Sequence, residues 1–308
     1  MNNKNTKVKT KKPMDNKIEK RSYKKRLVTK KEGLILLLLY VFRFLNSKQI
    51  QEFLRHKDHR RINSWLKDLA EKGYIVRDFK PIYGILTKPT VCYLTATGRG
   101  YIRSSHNYYF PKYLKKIARD NKSTKSFHIR CQLIADWYLT FYHSSENVVI
   151  DIIDYLENIL AKGSKNVEEK IPAKFQFFTS AYYPSFVLLN EIKPDGYVRK
   201  KIPQGIVHGM LFVLDAYIPK LLLRYKVQGI FEKLNEENWE DDSIESLNIY
   251  FLCPNNVIIN YFRRLVPSFL QSYYGSKPLN FYFVTRNQMY KYKDQDVKIK
   301  WVILSSTD

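Results

Sequence analysis

The chain has 308 residues, 44% of them hydrophobic, and a formal charge of +24; this is material for a sizeable core in two domains behind a tail and excludes a disordered polymer. The longest apolar run, Leu34 to Phe42, falls far short of the roughly 20 residues that span a bilayer, so it reads as a buried helix. Charge is lopsided, with 33 Lys/Arg against 10 Asp/Glu in residues 1–145 but 20 against 19 in residues 146–308. A field of this sign concentrates polyanions, nucleic acid first and an anionic membrane surface second, without selecting any sequence.

Residues 1–28 lack apolar periodicity and read as a disordered basic arm, suited to phosphate contact or to solvation alone. No apolar stretch with a small-residue cleavage site follows the basic start, so the expected location is the cytoplasm. Thr29-Lys30-Lys31-Glu32 fits a capping box that opens a helix running to about Phe44. Ser47 is placed to cap a second helix through Leu54, and a third spans His59 to Lys72 with Gly73 as its stop. Ile62, Leu66, Leu69 and Ala70 share one face of that third helix, which leaves Arg60, Arg61, Asn63, Ser64 and Lys67 on the other. Strands at Tyr74–Phe79 and Val91–Leu94 follow, around a loop that carries Lys80 and Lys88.

Three helices and a strand pair in this order make a winged helix-turn-helix over residues 29–104, a fold that commonly sets one helix in the major groove. Arginine forks onto guanine edges, asparagine onto adenine, and serine and lysine grip phosphates, so the polar face of the third helix is a candidate DNA reader. The competing reading is a solvated helix face, and winged helices also recruit proteins.

Residues 105–160 form a basic, aromatic connector around an apolar helix at Phe127–Tyr142, in which His128 is expected to be a hydrogen-bonded structural residue. A linker at 161–174 leads into alternating elements: strands near Ser185–Leu189, Lys193–Arg199 and Gly209–Asp215, a helix near Pro219–Leu234, a strand at Ser246–Leu252, a helix at Asn256–Phe269 and a strand at Leu279–Val284. Glu236–Glu245 reads as an acidic exposed loop. The alternation predicts a mixed-sheet α/β sandwich over 161–308, giving an α+β chain overall. Cys92, Cys131 and Cys253 are odd in number, lack a Cys-x-x-Cys spacing and read as small core residues. There is no Walker phosphate loop and no His-hydrophobe-His triplet, which argues against ATP-driven and tyrosine-relaxase chemistry.

Several segments together resemble the replication-relaxation proteins of Gram-positive plasmids and related mobile elements. They are Leu94-Thr95-x-x-Gly98 at the wing, the helix opening at His128, Ile192-Lys193-Pro194-Asp195-Gly196, Leu211-Phe212-Val213-Leu214-Asp215 and the helix with Lys226, and they cover most of residues 29–285. The resemblance implies a C-terminal half like a PD-(D/E)XK nuclease core with Asp195 at its first acidic position. Family members tend to carry an acid where this chain has Val213. Asp195, Asp215 and Lys226 are the candidate catalytic residues, and Glu191, Asp195 and Asp215 the candidate ligands for Mg²⁺, the one cofactor that a nuclease reading would need. Without the second acid, the core is expected to be degenerate and to need no cofactor.

The sequence therefore points to a duplex-DNA-binding protein of a plasmid or mobile element, acting at a replication or transfer origin. A metal-dependent nickase and a protein-recruiting adaptor are the alternatives. The partners this reading admits are double-stranded DNA, a second copy of the chain, and a relaxase or replication protein.

Overall fold

The structure, a computed structural model, describes residues 27–78, 89–105, 111–142, 175–179, 192–236, 244–275, 277–295 and 301–306. Nearly all of the basic arm, the 161–174 linker, the Ser185–Leu189 strand, Glu191, Lys80 and Lys88 lie outside these residues.

α1 (Lys30–Phe42) begins at the capping box: the Thr29 hydroxyl accepts from the Glu32 amide at 3.3 Å, and the Glu32 carboxylate accepts from the Thr29 amide at 2.7 Å. The helix is buried from Glu32 to Tyr40, as a helix without a polar face must be. A two-residue strand, β1 (Leu45–Asn46), precedes α2 (Ser47–Phe53). The cap of α2 is Asn46 and not Ser47, because Asn46 Oδ1 accepts from the Gln49 amide at 3.0 Å while Gln49 Oε1 accepts from the Asn46 amide at 2.9 Å. The two residue types cap about equally well, and the pairing of Leu45 with Cys92 decides between them.

α3 (His59–Glu71) buries Ile62, Leu66 and Leu69 and ends before Gly73, whose φ of +76° needs a residue without a Cβ. β2 (Ile75–Asp78) and β3 (Val91–Leu94) complete an antiparallel sheet in the order β1-β3-β2. The Leu94-Thr95-x-x-Gly98 motif has a mechanical reason. Thr95 Oγ1 donates to the Gly73 carbonyl at 2.6 Å and accepts from the Gly98 amide at 3.1 Å, which ties the end of α3 to the start of α4 (Ala96–Ser105). A Cβ on Gly98 would stand 2.2 Å from the Tyr74 carbonyl oxygen, so only glycine passes there.

α5 (Pro111–Asp120) and α6 (Lys125–Tyr142) connect this block to the second half. Arg43, just beyond α1, is buried and meets Asp120 of α5 at 2.6 Å. His128 of α6 is held by stacking on Phe44, ring centroids 3.8 Å apart, and not by the expected ring hydrogen bond; its Nε2 is buried without a partner among the described residues. Burial lowers its pKa, against the pull of Asp78.

The second half holds a six-stranded sheet in sequential order: β4 (Phe175–Thr179), β5 (Gly196–Ile202), β6 (Gly205–Val213), β7 (Ile244–Cys253), β8 (Leu279–Thr285) and β9 (Val302–Ser305). β6, β7 and β8 run parallel and the remaining neighbours antiparallel, so the sheet is mixed. Two crossover helices, α7 (Lys220–Glu236) and α8 (Asn256–Leu270), cover one face. Strand alternation explains the division: Leu247, Ile249, Phe251 and Cys253 face α7 and α8, while Tyr250 and Leu252 join the core of α1 and α6 on the other side. α9 (Arg286–Gln295) sends Met289 into that second core. The supposed acidic loop is shorter than expected, since Glu236 ends α7 and Ile244-Glu245 begin β7. The three cysteines are buried and unbridged, and burial pushes the Cys92 and Cys131 thiols up to about 12. Among the described residues no helix is long and apolar enough to cross a membrane.

Candidate functional site

Two places carry the residues singled out in the sequence. The first is the outer face of α3, where Arg60, Arg61, Ser64 and Lys67 are exposed and Asn63 is half-buried. Few contacts restrain them. The Arg61 guanidinium lies 5.6 Å from the Trp65 ring, and Lys67 pairs with Glu71 at 3.7 Å, an exposed contact of little worth that a phosphate can displace. The inner end of the helix is firmly held. The Lys72 ammonium donates to Glu32 at 2.7 Å, fastening the end of α3 to the first turn of α1. Burial pushes the Glu32 carboxyl up, but Lys72 and the Thr29 donors outweigh it and hold the pKa below the ordinary glutamate range.

The second place is the end of the sheet where β6 and β7 finish. Asp195, one residue before β5, keeps its amide bonded to the Leu211 carbonyl at 2.8 Å, and its carboxylate accepts from the Val213 amide at 2.8 Å. Asp215, two residues beyond β6, accepts from Ser126 Oγ at 3.1 Å and from Arg130 at 2.5 Å. Arg130 of α6 also reaches Asp195 at 3.8 Å, so the two aspartates converge on one guanidinium. Lys226 of α7 lies 4.5 Å from the Phe212 ring and within the field of Asp195. Burial raises the Asp195 pKa against the opposing pull of Lys226, the Val213 amide and Arg130; burial likewise lowers that of Lys226, against Asp195.

These residues do not fit Mg²⁺. The ion wants oxygen ligands in a near-octahedral cage, yet Asp215 has both oxygens on protein donors and Asp195 has one on an amide and one toward Arg130. The Val213 side chain offers no ligand atom and is buried in the apolar core shared with α6. No group of three or more His, Cys, Asp or Glu residues able to hold a metal occurs among the described residues. The guanidinium takes the position between the carboxylates that a cation would need.

Arg130 and Ser126 did not stand out in the sequence. They meet Asp215 across 85 and 89 residues of chain, and no local pattern reports such a contact. A buried polar tie from the same helix was equally silent: Asp136 accepts from Gln49 of α2 and from Tyr290 of α9, each at 2.8 Å.

No curated protein matches the chain. Among solved structures, the restriction endonuclease FokI is similar over 84% of this chain, with a TM-score of 0.30 and 12% identity. A structure of FokI bound to DNA is similar over the same share, with a TM-score of 0.28 and 15% identity. The chain spans 42% and 43% of those two proteins, and likenesses this weak do not establish a common fold. The sequence model of the replication-relaxation family matches residues 36–206, more than half of the chain, and the chain belongs to that family.

Proposed function

We propose that this protein is a sequence-specific double-stranded DNA-binding protein of a plasmid or mobile element, acting in the cytoplasm at a replication or transfer origin. Residues 29–104 are its winged helix-turn-helix and α3 the helix that enters the major groove. The observation that carries this reading is the face of exposed Arg60, Arg61, Ser64 and Lys67 with half-buried Asn63, on a helix whose other face and C-terminal end are fixed to α1. A helix already held in place loses little backbone freedom on binding, and a helix in this position presents its N-terminal half to base edges. Lys80 and Lys88 are suited to phosphates flanking that groove, and residues 1–28 add affinity without specificity. A second copy of the chain and a relaxase or replication protein are the partners proposed for residues 161–308, which need no cofactor in this role.

The test is selection of bound duplexes from a random library, followed by Arg61→Ala and Asn63→Ala. Each base-edge contact removed should cost about 1–3 kcal/mol and relax specificity at one position. If both variants bind the selected duplex as tightly as wild type, α3 is not the reader. Deleting residues 1–28 should flatten the dependence of log affinity on log salt while the preferred sequence stays the same.

The convergence of Asp195 and Asp215 favours a second reading, metal-dependent cleavage of DNA with Lys226 polarising the phosphate. Arg130 between the carboxylates and Val213 in place of an acid weigh against it.

A further inference from the structure

The near-neutral balance of the second half conceals a local excess of cations. From Tyr217 to Phe231 there is no carboxylate, and α8 has none along its whole length, whereas Lys220, Arg224 and Arg264 are exposed there. Aromatic rings stand among these cations. Tyr217, in the turn before α7, is 97% exposed, and Leu221, Arg224 and Tyr225, exposed as well, form one uncovered stripe of α7 at helical spacing. α8 continues the stripe. The Tyr261 hydroxyl donates to the Lys220 carbonyl at 3.2 Å, the Lys220 ammonium lies 5.9 Å from the Tyr261 ring, and Arg264 follows one turn later.

A core does not explain these rings, because Leu223, Val227, Ile230 and Phe231 already supply the buried side of α7. Exposed rings spaced between cations suit a polyanion that carries flat apolar groups. A single-stranded nucleic acid is such a ligand, since every unpaired base has a face to stack and every nucleotide a phosphate to neutralise. A duplex hides its base faces, so it would leave the tyrosines unused. An acidic, apolar protein surface would match the charge but has no special use for exposed tyrosines interleaved with arginine.

We propose that the α7–α8 face is a single-stranded nucleic-acid site, with Tyr217 and Tyr225 as stacking platforms and Lys220, Arg224 and Arg264 as phosphate contacts. It is separate from the α3 surface and does not depend on that reading. In an origin-binding protein it would hold the strand released when a neighbouring duplex opens.

The experiment uses the full chain and a fluorescein-labelled oligothymidylate, with fluorescence anisotropy at a salt concentration that suppresses the arm. Tyr217→Ala with Tyr225→Ala should lower affinity by at least about tenfold, leave the melting temperature and selected-duplex affinity within error, and be rescued by phenylalanine at both positions. Arg224→Ala with Arg264→Ala should weaken binding and reduce its salt dependence. Arg61→Ala should leave oligothymidylate binding unchanged, which keeps this outcome distinct from that of the α3 reading. Unchanged oligothymidylate affinity in the tyrosine double variant overturns the proposal, and so does an equal loss for duplex. Conversion of a dimer to a monomer in sedimentation by the same substitutions also overturns it, by assigning the face to a second copy of the chain.

Discussion

Two arginines close long-range contacts with aspartate in this protein, and their surroundings give the contacts different jobs. Arg43 is 3% exposed and meets Asp120, at 15%, in the packed junction of α1 and α5. Arg130 is 32% exposed and reaches Asp195 and the more open Asp215 at the sheet end. In the first pair water is largely excluded, so each charge depends on the other and the contact locks two helices. In the second, solvent screens the charges, and the guanidinium chiefly controls what else can approach the carboxylates. Arg43 also adopts φ +68° although it is not glycine, at the C-cap of α1 where its amide bonds to the Leu39 carbonyl. That conformation costs on the order of 1–3 kcal/mol and persists only where the surroundings fix it.

The sharpest way to break the comparison is Asp120→Ala. It leaves Arg43 desolvated without its carboxylate, and removing one member of a buried pair costs about 3–5 kcal/mol. Urea unfolding should show a large fall in the transition midpoint with little change in slope. A loss below about 1 kcal/mol would mean that the junction is wetter than its geometry, and that the two arginines differ less than their burial says.

Glu32 offers a middle case, since it is buried but its partner Lys72 is 15% exposed. Glu32→Gln keeps an acceptor for the Thr29 amide and loses the charge-assisted bond, a deletion worth about 1.5–3 kcal/mol. The pH signature has a definite sign. A carboxyl whose folded pKa lies below its unfolded value contributes stability that is complete above the unfolded value, about 4.3 for glutamate, and disappears as pH falls through the folded one. Wild type should therefore lose stability on acidification below that point more steeply than the variant. Parallel acid limbs would remove Glu32 from the account.

The parts of this fold that were legible in the sequence are those specified locally. Thr29 and Glu32, Gly73, and the polar and apolar sides of α3 announce themselves within a few residues. β1 did not, because two residues become a strand only through their pairing with β3. The sequence does not announce β4, α9 and β9 either: β4 follows a segment that reads as linker, and among the described side chains of α9 Met289 alone joins a core cluster, too little for a periodic signal. The same limit hid the site. Asp195 and Asp215 are visible in the sequence as acids at strand ends and Lys226 as a cation within the following helix, whereas Arg130, which decides what they can do, lies more than sixty residues earlier on a helix that reads as an apolar run. Charge balance over residues 146–308 is uninformative for a similar reason, since a sum of about zero does not report that α8 and the first three turns of α7 carry no carboxylate.

The smallest expected effect on stability is also the most informative about chemistry. Arg130→Ala removes a contact that is one-third exposed at one end and more open at the other, so it should cost under about 1 kcal/mol after solvent screening. Its consequence for the carboxylates is larger. Asp195 loses a neighbour that opposes the effect of burial, so its pKa should rise further, measurable by carboxyl NMR titration against wild type. Asp215 keeps the Ser126 hydroxyl as a donor. With the guanidinium gone, two carboxylates face an opening in which a cation can replace it, and millimolar Mn²⁺ should raise the melting temperature of Arg130→Ala but not of wild type. Wild type should likewise leave supercoiled and single-stranded DNA intact in Mg²⁺ or Mn²⁺. Nicking by wild type that disappears in Asp195→Ala would show that the guanidinium yields to a metal when DNA is bound, and would make the solvent-screened arginine a gate and not a plug.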